Sequence, residues 1–282
     1  MLKNRVAIIT GGTRGLGFGI AKAFVQAGAK VFVASRSADS VEQSISVLRS
    51  MGGEVDGKVC DVGSLSDVED ISLRAVKQLG KIDIWVNNAG ISAPYGPTIH
   101  IPYEEILKVI QTNILGTYHG SLVAMRYFLK QGQGKLINVS GRGDKGPVPL
   151  QNAYASSKSW VHSFTLALAD EYKNSGVGVY LFRPGIVDTD MLRKVEVIEG
   201  YQSRIEPLKT VIRMWGNKPE VPAMKAVWLA SHATDGKTGL VVNVFNPRLM
   251  FWGLFRETLG RILRRDIEQI EIAVNTIEPD IN

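Results

Sequence analysis

Seven short, apolar, β-branched runs recur along this chain, each set off from the next by longer sequence, and that rhythm constrains the fold most. The runs are VAIIT (6–10), VFVAS (31–35), EVDGKVC (54–60), IDIWVN (82–87), KLINVS (135–140), VGVYLF (177–182) and LVVNVF (240–245). Helical spacing of apolar residues falls between them, near 16–28, 40–51, 66–79, 103–130, 153–173 and 219–231. Strands joined through helices run parallel, because the connection is a crossover and not a hairpin. The crossover helices cover both faces of such a sheet, so its strands should be apolar throughout, as these are. We therefore expect a single α/β domain over residues 1–247: a doubly wound, seven-stranded parallel sheet with helices on both faces. No internal repeat or linker interrupts it. Two segments break the rhythm, an insertion at 190–218 and a C-terminal extension at 248–282.

Composition narrows the class. Of 282 residues, 45% are hydrophobic and 21% charged, the balance of an ordinary soluble protein. The opening MLKNRVAIIT holds too short an apolar run for a signal peptide and leads straight into a glycine-rich turn, so it reads as a first strand. No apolar stretch approaches the roughly 18 residues of a spanning helix. Cys60 is the only cysteine, which excludes intrachain disulfides and leads us to expect a reducing, cytoplasmic compartment. His100, His119, His162 and His232 lack ligand spacing, so no metal is expected. The net charge of +6 comes without an arginine-rich tract or RNA-binding motif, so nucleic acid is not an expected partner.

The first strand ends in TGGTRGLG, residues 10–17, followed by the helical FGIAKAFVQAG. Glycines at 11, 15 and 17 allow a tight turn and let the backbone approach a pyrophosphate at the positive end of the helix. Strand before and helix after supply the context that a glycine trio needs. The fold is then Rossmann-like. At the end of the second strand, VFVASRS, an NAD-binding chain usually has an acidic residue for the ribose hydroxyls. This chain has Ser35 there, with Arg36 beside it and Arg14 in the glycine turn. A carboxylate repels a 2′-phosphate, whereas a guanidinium holds it through paired charged hydrogen bonds. NADP(H) is the expected cofactor.

In NAYASSKSW, residues 152–160, Tyr154 and Lys158 stand four apart and so share one helix face. A nearby ammonium, with a positive nicotinamide ring, favours the phenolate, so Tyr154 is expected to have a lowered pKa and to shuttle a proton.

Taken together, TGxxxGxG, NNAG at 87–90 and YxxxK at 154–158 resemble the short-chain dehydrogenase/reductase family from about residue 3 to residue 247. The resemblance implies a catalytic tetrad of Asn113, Ser140, Tyr154 and Lys158. Ser140 would orient a carbonyl and stabilise its developing negative charge. Asn113 would hold a water near the lysine, and Lys158 would also bind the nicotinamide ribose. Gly11, Thr13, Arg14, Gly15, Leu16 and Gly17 would cradle the pyrophosphate, with Ser35 and Arg36 at the adenosine ribose. Asp61 would accept from the adenine amino group, with Val62 beside the ring; a turn or helix-capping aspartate is the other reading of Asp61. Asn88, Ala89 and Gly90 would line the cofactor, and Pro184, Gly185, Ile186 and Thr189 its nicotinamide side. Gly141 departs from the family, in which a second serine is common.

What this implies is an NADP(H)-dependent reduction of a small-molecule carbonyl, or oxidation of the matching alcohol. The alternatives are an NADP(H)-binding regulatory protein and a membrane-surface protein with vestigial redox activity. Arg142, Asp144 and Lys145 follow Ser140 and read either as substrate contacts or as solvated loop charges. The insertion, with Met191, Leu192, Val195, Ile198, Tyr201, Ile205, Leu208, Ile212, Met214 and Trp215, resembles a helical lid, over an apolar substrate or over its own docking surface. In the extension, Phe251, Phe255, Leu259, Ile262 and Leu263 recur at helical spacing among Arg256, Arg261, Arg264 and Arg265. Such a cationic amphipathic helix packs on its own body or a partner subunit, or lies on an anionic membrane surface. The family also implies a homo-oligomer, dimer or tetramer, paired through the helices at 103–130 and 153–173.

Overall fold

The computed structural model describes residues 1–245, 247–262 and 269–280. The seven expected strands all form: β1 (Val6–Thr10), β2 (Lys30–Ser35), β3 (Val55–Val59), β4 (Ile84–Asn87), β5 (Gly134–Val139), β6 (Val177–Arg183) and β8 (Leu240–Asn243). They make one parallel sheet in the order β3-β2-β1-β4-β5-β6-β8. The order reverses between β1 and β4, and this opens a crevice at their carboxyl ends.

Alternate residues of each strand feed opposite cores. On one face Ile9, Val33, Val86 and Phe182 meet Ile20 and Phe24 of α1 (Gly15–Gln26) and Ala223 and Val227 of α9 (Glu220–Ala230). On the other, Ile8, Phe32, Trp85 and Leu136 meet Val68 and Ile71 of α3 (Leu65–Leu79) and Ala124 and Phe128 of α5 (Gly116–Gln131). α2 (Ala38–Ser50) packs on the first face through Leu48. Ser37 and Ser64 cap α2 and α3, each accepting from a main-chain N–H three residues on. The long helix expected at 103–130 is α4 (Tyr103–Val109) and α5 joined through a π-helical turn, Ile110–Leu115. α6 (Asn152–Glu171) carries the Tyr-x-x-x-Lys segment.

A buried polar seam ties the middle strands to α6. Asn87 accepts from Trp85 Nε1 (2.8 Å) and donates to Asn138 Oδ1 (2.9 Å), and Asn138 donates to Thr165 Oγ1 on α6 (3.0 Å).

The insertion differs from the expected helical lid. A short α7 (Asp190–Arg193) leads into a strand, β7 (Lys194–Ile198), and only then into a helix, α8 (Glu206–Trp215). β7 pairs in parallel with β9 (Ala273–Ile277) of the C-terminal extension. Val195 and Val197 point inward and Lys194 and Glu196 outward, the period of a half-buried strand. The extension also forms α10 (Pro247–Ile262). Arg213 of α8 grips Glu257 of α10 with a two-pronged ion pair (2.6 and 2.9 Å). Gly253 lies so close to Trp215 that a Cβ there would sit 2.4 Å from the indole nitrogen. The extension therefore packs on its own body through one face of α10. Phe251 and Phe255 point outward; of the other residues of the expected amphipathic pattern, Leu263, Arg264 and Arg265 lie outside the described residues. Among the described residues, no helix is long and apolar enough to cross a membrane.

Asn87→Ala should strand the Trp85 indole N–H in the core, while Asn138 Oδ1 keeps the Ser121 hydroxyl. The expected loss is about 1–3 kcal/mol of unfolding free energy, read by urea denaturation.

Candidate active site

Everything the glycine turn needs is gathered at the β1–β4 crevice. Gly11 (φ +61) and Gly15 (φ +53) adopt backbone that side chains disfavour. A Cβ on Gly11 would lie 2.9 Å from Ala89 Cα, and one on Gly17 would lie 2.0 Å from the Gly11 carbonyl. Gly15 faces the Thr189 side chain, 3.2 Å from where its Cβ would be. The turn thus touches both the NNAG segment and the segment after β6. Arg14 stands at the N-cap of α1 and its side chain makes no cap hydrogen bond, which leaves the helix's first N–H groups open to an anion. Thr13 accepts from Ser44 through its main-chain oxygen (3.2 Å), and Leu16 packs on the core.

Asn88 works mainly as a brace. Its Nδ2 donates to the Thr10 and Gly11 carbonyls (3.0 and 3.1 Å), and Thr10 Oγ1 accepts from the Asn88 and Ala89 amides. Ser35 ends β2, with Arg36 exposed beyond it; neither Arg36 nor Arg14 pairs with a carboxylate among the described residues. Asp61 is exposed and accepts from Gly63 N (2.9 Å), which is the turn reading of that residue. The Val62 side chain is buried against Gly116, not presented at the surface. Past β6, Pro184 is buried and Gly185 (φ +77) lies against Phe245. Ile186 accepts from Asn217 N (2.9 Å), and Thr189 caps α7.

The four tetrad positions converge at the same crevice. Lys158 is buried, 5% exposed, and its Nζ donates to the Val139 carbonyl at 3.2 Å. That nitrogen also lies 3.5 Å from where a Cβ on Gly90 would be, and 5.6 Å from the Tyr154 ring centre. Asn113, fully buried in the π-helical turn, exchanges two hydrogen bonds of 2.9 Å with the Ile91 backbone. Its Nδ2 also donates to Ser157 Oγ (3.0 Å), which donates on to the Tyr154 carbonyl (2.7 Å). A small residue between Tyr154 and Lys158 is therefore a strut as well as a space-saver. Gly141 seats the phenol: a Cβ there would lie 2.4 Å from the Tyr154 hydroxyl oxygen. The second serine common in the family would collide with this position of the phenol.

Among the protein's own groups, burial sets the charge at the centre; the expected lowering of the phenol includes a positive nicotinamide ring as well. Burial pushes the Tyr154 phenol up to about 12, with Tyr95 and Asp144 adding to the rise. Burial pushes Lys158 down to about 8, against a smaller upward pull from Asp144. Burial sets the direction for both groups, and the Lys158 ammonium lies over the ring and not at the hydroxyl.

Two groups escaped the sequence reading. Asp144, expected to be either a substrate contact or a solvated loop charge, is half-buried and turned inward: it forms an ion pair with Arg183 and accepts from Ser140 Oγ at 2.9 Å. Arg142 and Lys145 are exposed. Tyr95 reaches the centre through a bridge to Val197 of β7, which no local pattern could signal. Gly141→Ala is expected to displace the phenol and to lower any turnover that depends on it by about 10²-fold, with the circular dichroism spectrum unchanged.

Known proteins resemble this chain in sequence and fold. The short chain dehydrogenase family model matches residues 5–199. Dehydrogenase/reductase SDR family member 4 of Bos taurus is 32% identical over 243 residues, covering 86% of each chain. This chain spans only 44% and 41% of the length of two longer chloroplast relatives, from Arabidopsis thaliana and Oryza sativa. A solved variant of actinorhodin polyketide ketoreductase with NADPH aligns with TM-score 0.78 at 29% identity, over 86% of this chain and 97% of that one. The 3-ketoacyl-(acyl-carrier-protein) reductase of Brucella melitensis, complexed with NADH, gives 0.78 at 28%, over 88% and 100%. By fold, by matched segment and by overall similarity, this chain belongs to the short-chain dehydrogenase/reductase family of oxidoreductases.

Proposed function

We propose that this protein reduces a small-molecule carbonyl with NADPH, or oxidises the matching alcohol with NADP. The observation that carries the reading is the meeting of Tyr154, Lys158, Asn113 and Ser140 with a bare glycine cradle at one crevice. The cradle fits a pyrophosphate: its Cβ-free backbone and the uncapped N-terminus of α1 offer N–H groups and no obstructing side chain. Thr13 to Gly17 would hold the phosphates, Asn88 to Gly90 and Lys158 the nicotinamide ribose, and Pro184, Gly185, Ile186 and Thr189 the carboxamide side. Asp61 and Val62 stand at the adenine end, Asp61 through its exposed carboxylate and Val62 through its backbone alone. Similar enzymes have been solved with either nicotinamide cofactor, so the choice of NADP(H) rests on Ser35, Arg14 and Arg36.

The bound nicotinamide supplies or accepts the hydride. Tyr154 gives its hydroxyl proton to the carbonyl oxygen, and Ser140 donates a hydrogen bond to the charge that develops there. A phenol pushed up to about 12 is protonated at neutral pH, the form a general acid needs. Reduction should therefore weaken as pH rises through about 8, where Lys158 gives up the proton that refills Tyr154, and fail altogether as the phenol loses its own. Lys158, at about 8, is mostly charged at pH 7 and starts the proton path that refills Tyr154, with Asn113 fixing its far wall.

Tyr154→Phe should lower kcat/KM by about 10²–10⁴-fold on any accepted carbonyl, followed by NADPH absorbance. Near-normal turnover would overturn the mechanism. Arg36→Ala should erode the preference for NADPH over NADH by about tenfold or more in the same assay. Tight NADPH binding without oxidation across ketones, aldehydes and 3-oxo compounds would favour the regulatory reading instead.

Residues 190–218 serve as the substrate lid in this reading. Val195, Val197 and Ile205 form the lid's own core with Tyr95, Tyr201, Leu208 and Ile272. Leu192, Val211 and Met214, half-buried, are left to meet an apolar substrate. Tyr118, Phe164 and Trp160 form an aromatic face shared by α5 and α6, the surface we assign to a homo-oligomer. On α10, Phe251 and Trp252 are 66% and 63% exposed and touch Phe255. The sequence carries five arginines between residues 248 and 265, and with this aromatic face the segment suits a peripheral contact with anionic lipid, and otherwise a cytoplasmic protein. Wild type is expected to sediment with phosphatidylserine vesicles and to scatter light as a dimer or tetramer. Replacing Phe251, Trp252 and Phe255 by serine should abolish sedimentation and leave the mass unchanged; a wild type that never sediments sinks the lipid contact, and a monomer sinks the oligomer.

A further inference from the structure

The Ser140 hydroxyl has one hydrogen, and the structure commits it to a carboxylate. Ser140 Oγ donates to Asp144 Oδ2 at 2.9 Å, and the same oxygen receives the Arg183 guanidinium. The pair is largely shielded, with side chains 8% and 11% exposed. His162 Nδ1 lies 2.8 Å from the Asp144 carbonyl and 3.4 Å from Arg183 Nη2, and Ser159 Oγ donates to the Gly143 carbonyl (2.6 Å). The loop after β5 is thereby fastened to α6 and β6, and Asp144 has little freedom to leave.

We propose that Asp144, held by Arg183, is a positioning residue that keeps the Ser140 hydrogen until negative charge develops on the substrate oxygen. This rests on the carbonyl-reducing reading above. Hydrogen bonds to an ionised acceptor are roughly twice as strong as those to a neutral one. A neutral carbonyl therefore cannot draw the Ser140 hydrogen from a carboxylate. An alkoxide, far more basic than a carboxylate, can. Arg183 makes the exchange feasible in two ways: it shares the carboxylate's charge, weakening its hold on Ser140, and it keeps Asp144 partnered once the hydroxyl has turned away. The Ser140 contact is then made in the transition state and withheld from the bound ground state, which raises kcat without lowering KM. No bond is made or broken by Asp144, and the proton reaching substrate still comes from Tyr154. The charged and titratable groups around this exchange are Tyr154, Lys158, Tyr95, Arg142, Arg183 and His162.

The test is a cycle of steady-state kinetics at saturating NADPH with one accepted carbonyl compound. In wild type, Ser140→Ala should lower kcat and leave KM within about twofold. Asp144→Asn combined with Arg183→Gln replaces the ion pair by a neutral, hydrogen-bonding pair of similar size, so no buried charge is left alone. In that background KM should fall by about two- to tenfold, the worth of one neutral hydrogen bond, and Ser140→Ala should now raise it again by the same factor. A merely structural Asp144 would instead give lower kcat/KM with no fall in KM and no background-dependent effect of Ser140→Ala, and that result overturns the inference. Tyr154→Phe separates the two levels. If it retains turnover, the reductase reading falls and takes the inference with it; if it is inactive and the KM pattern is absent, only the inference falls.

Discussion

A single buried thread of amide hydrogen bonds carries the geometry on which this site depends. Asn87 and Asn138 lie side by side at paired positions on β4 and β5, and Asn138 reaches on to Thr165 of α6. Thr117 and Ser121 of α5 share in the same network, so a slip between strands or between sheet and helix would break several buried hydrogen bonds at once. Next along the chain, Asn88 bolts the glycine turn to the same strand end. The Tyr154–Lys158 face of α6 and the glycine turn are thus located by one continuous set of contacts.

That placement has an electrostatic consequence. The elements that bring Tyr154 and Lys158 together also take them out of water, and desolvation moves both toward their neutral forms. The site favours a protonated phenol, suited to giving a proton up. Asp144 adds a negative charge to this environment, and Arg183 accompanies it as its ion-pair partner. A loop with three charged residues in six looks solvated when read as sequence. Here one of the three turns inward because β6 ends in an arginine that meets it.

The C-terminal extension is less separate than its position along the chain suggests. β9 completes a two-stranded sheet with β7, and the Arg213–Glu257 pair and the close seat of Gly253 on Trp215 fix α10 to α8. Tyr95 bridges to that same small sheet and stands beside Tyr154. The tail is therefore packed against β7, the strand that holds Tyr95.

Sequence by itself determined the seven-stranded doubly wound sheet, the glycine turn and the shared helix face of Tyr154 and Lys158, because each is written in short-range pattern: periodicity, turn glycines and an i, i+4 pair. Asn113 and Ser140 came only with the family resemblance. It also held the alternation of KVEVI at 194–198, but a two-residue period cannot say which distant segment will pair with it. Only tertiary structure decided that β9 is the partner, that Asp144 turns inward beside Ser140, that Val62 turns to the core, and that the phenol's pKa rises. Each of these depends on groups far apart in the chain and on how much water is left between them. Neither distance nor desolvation has a local signature.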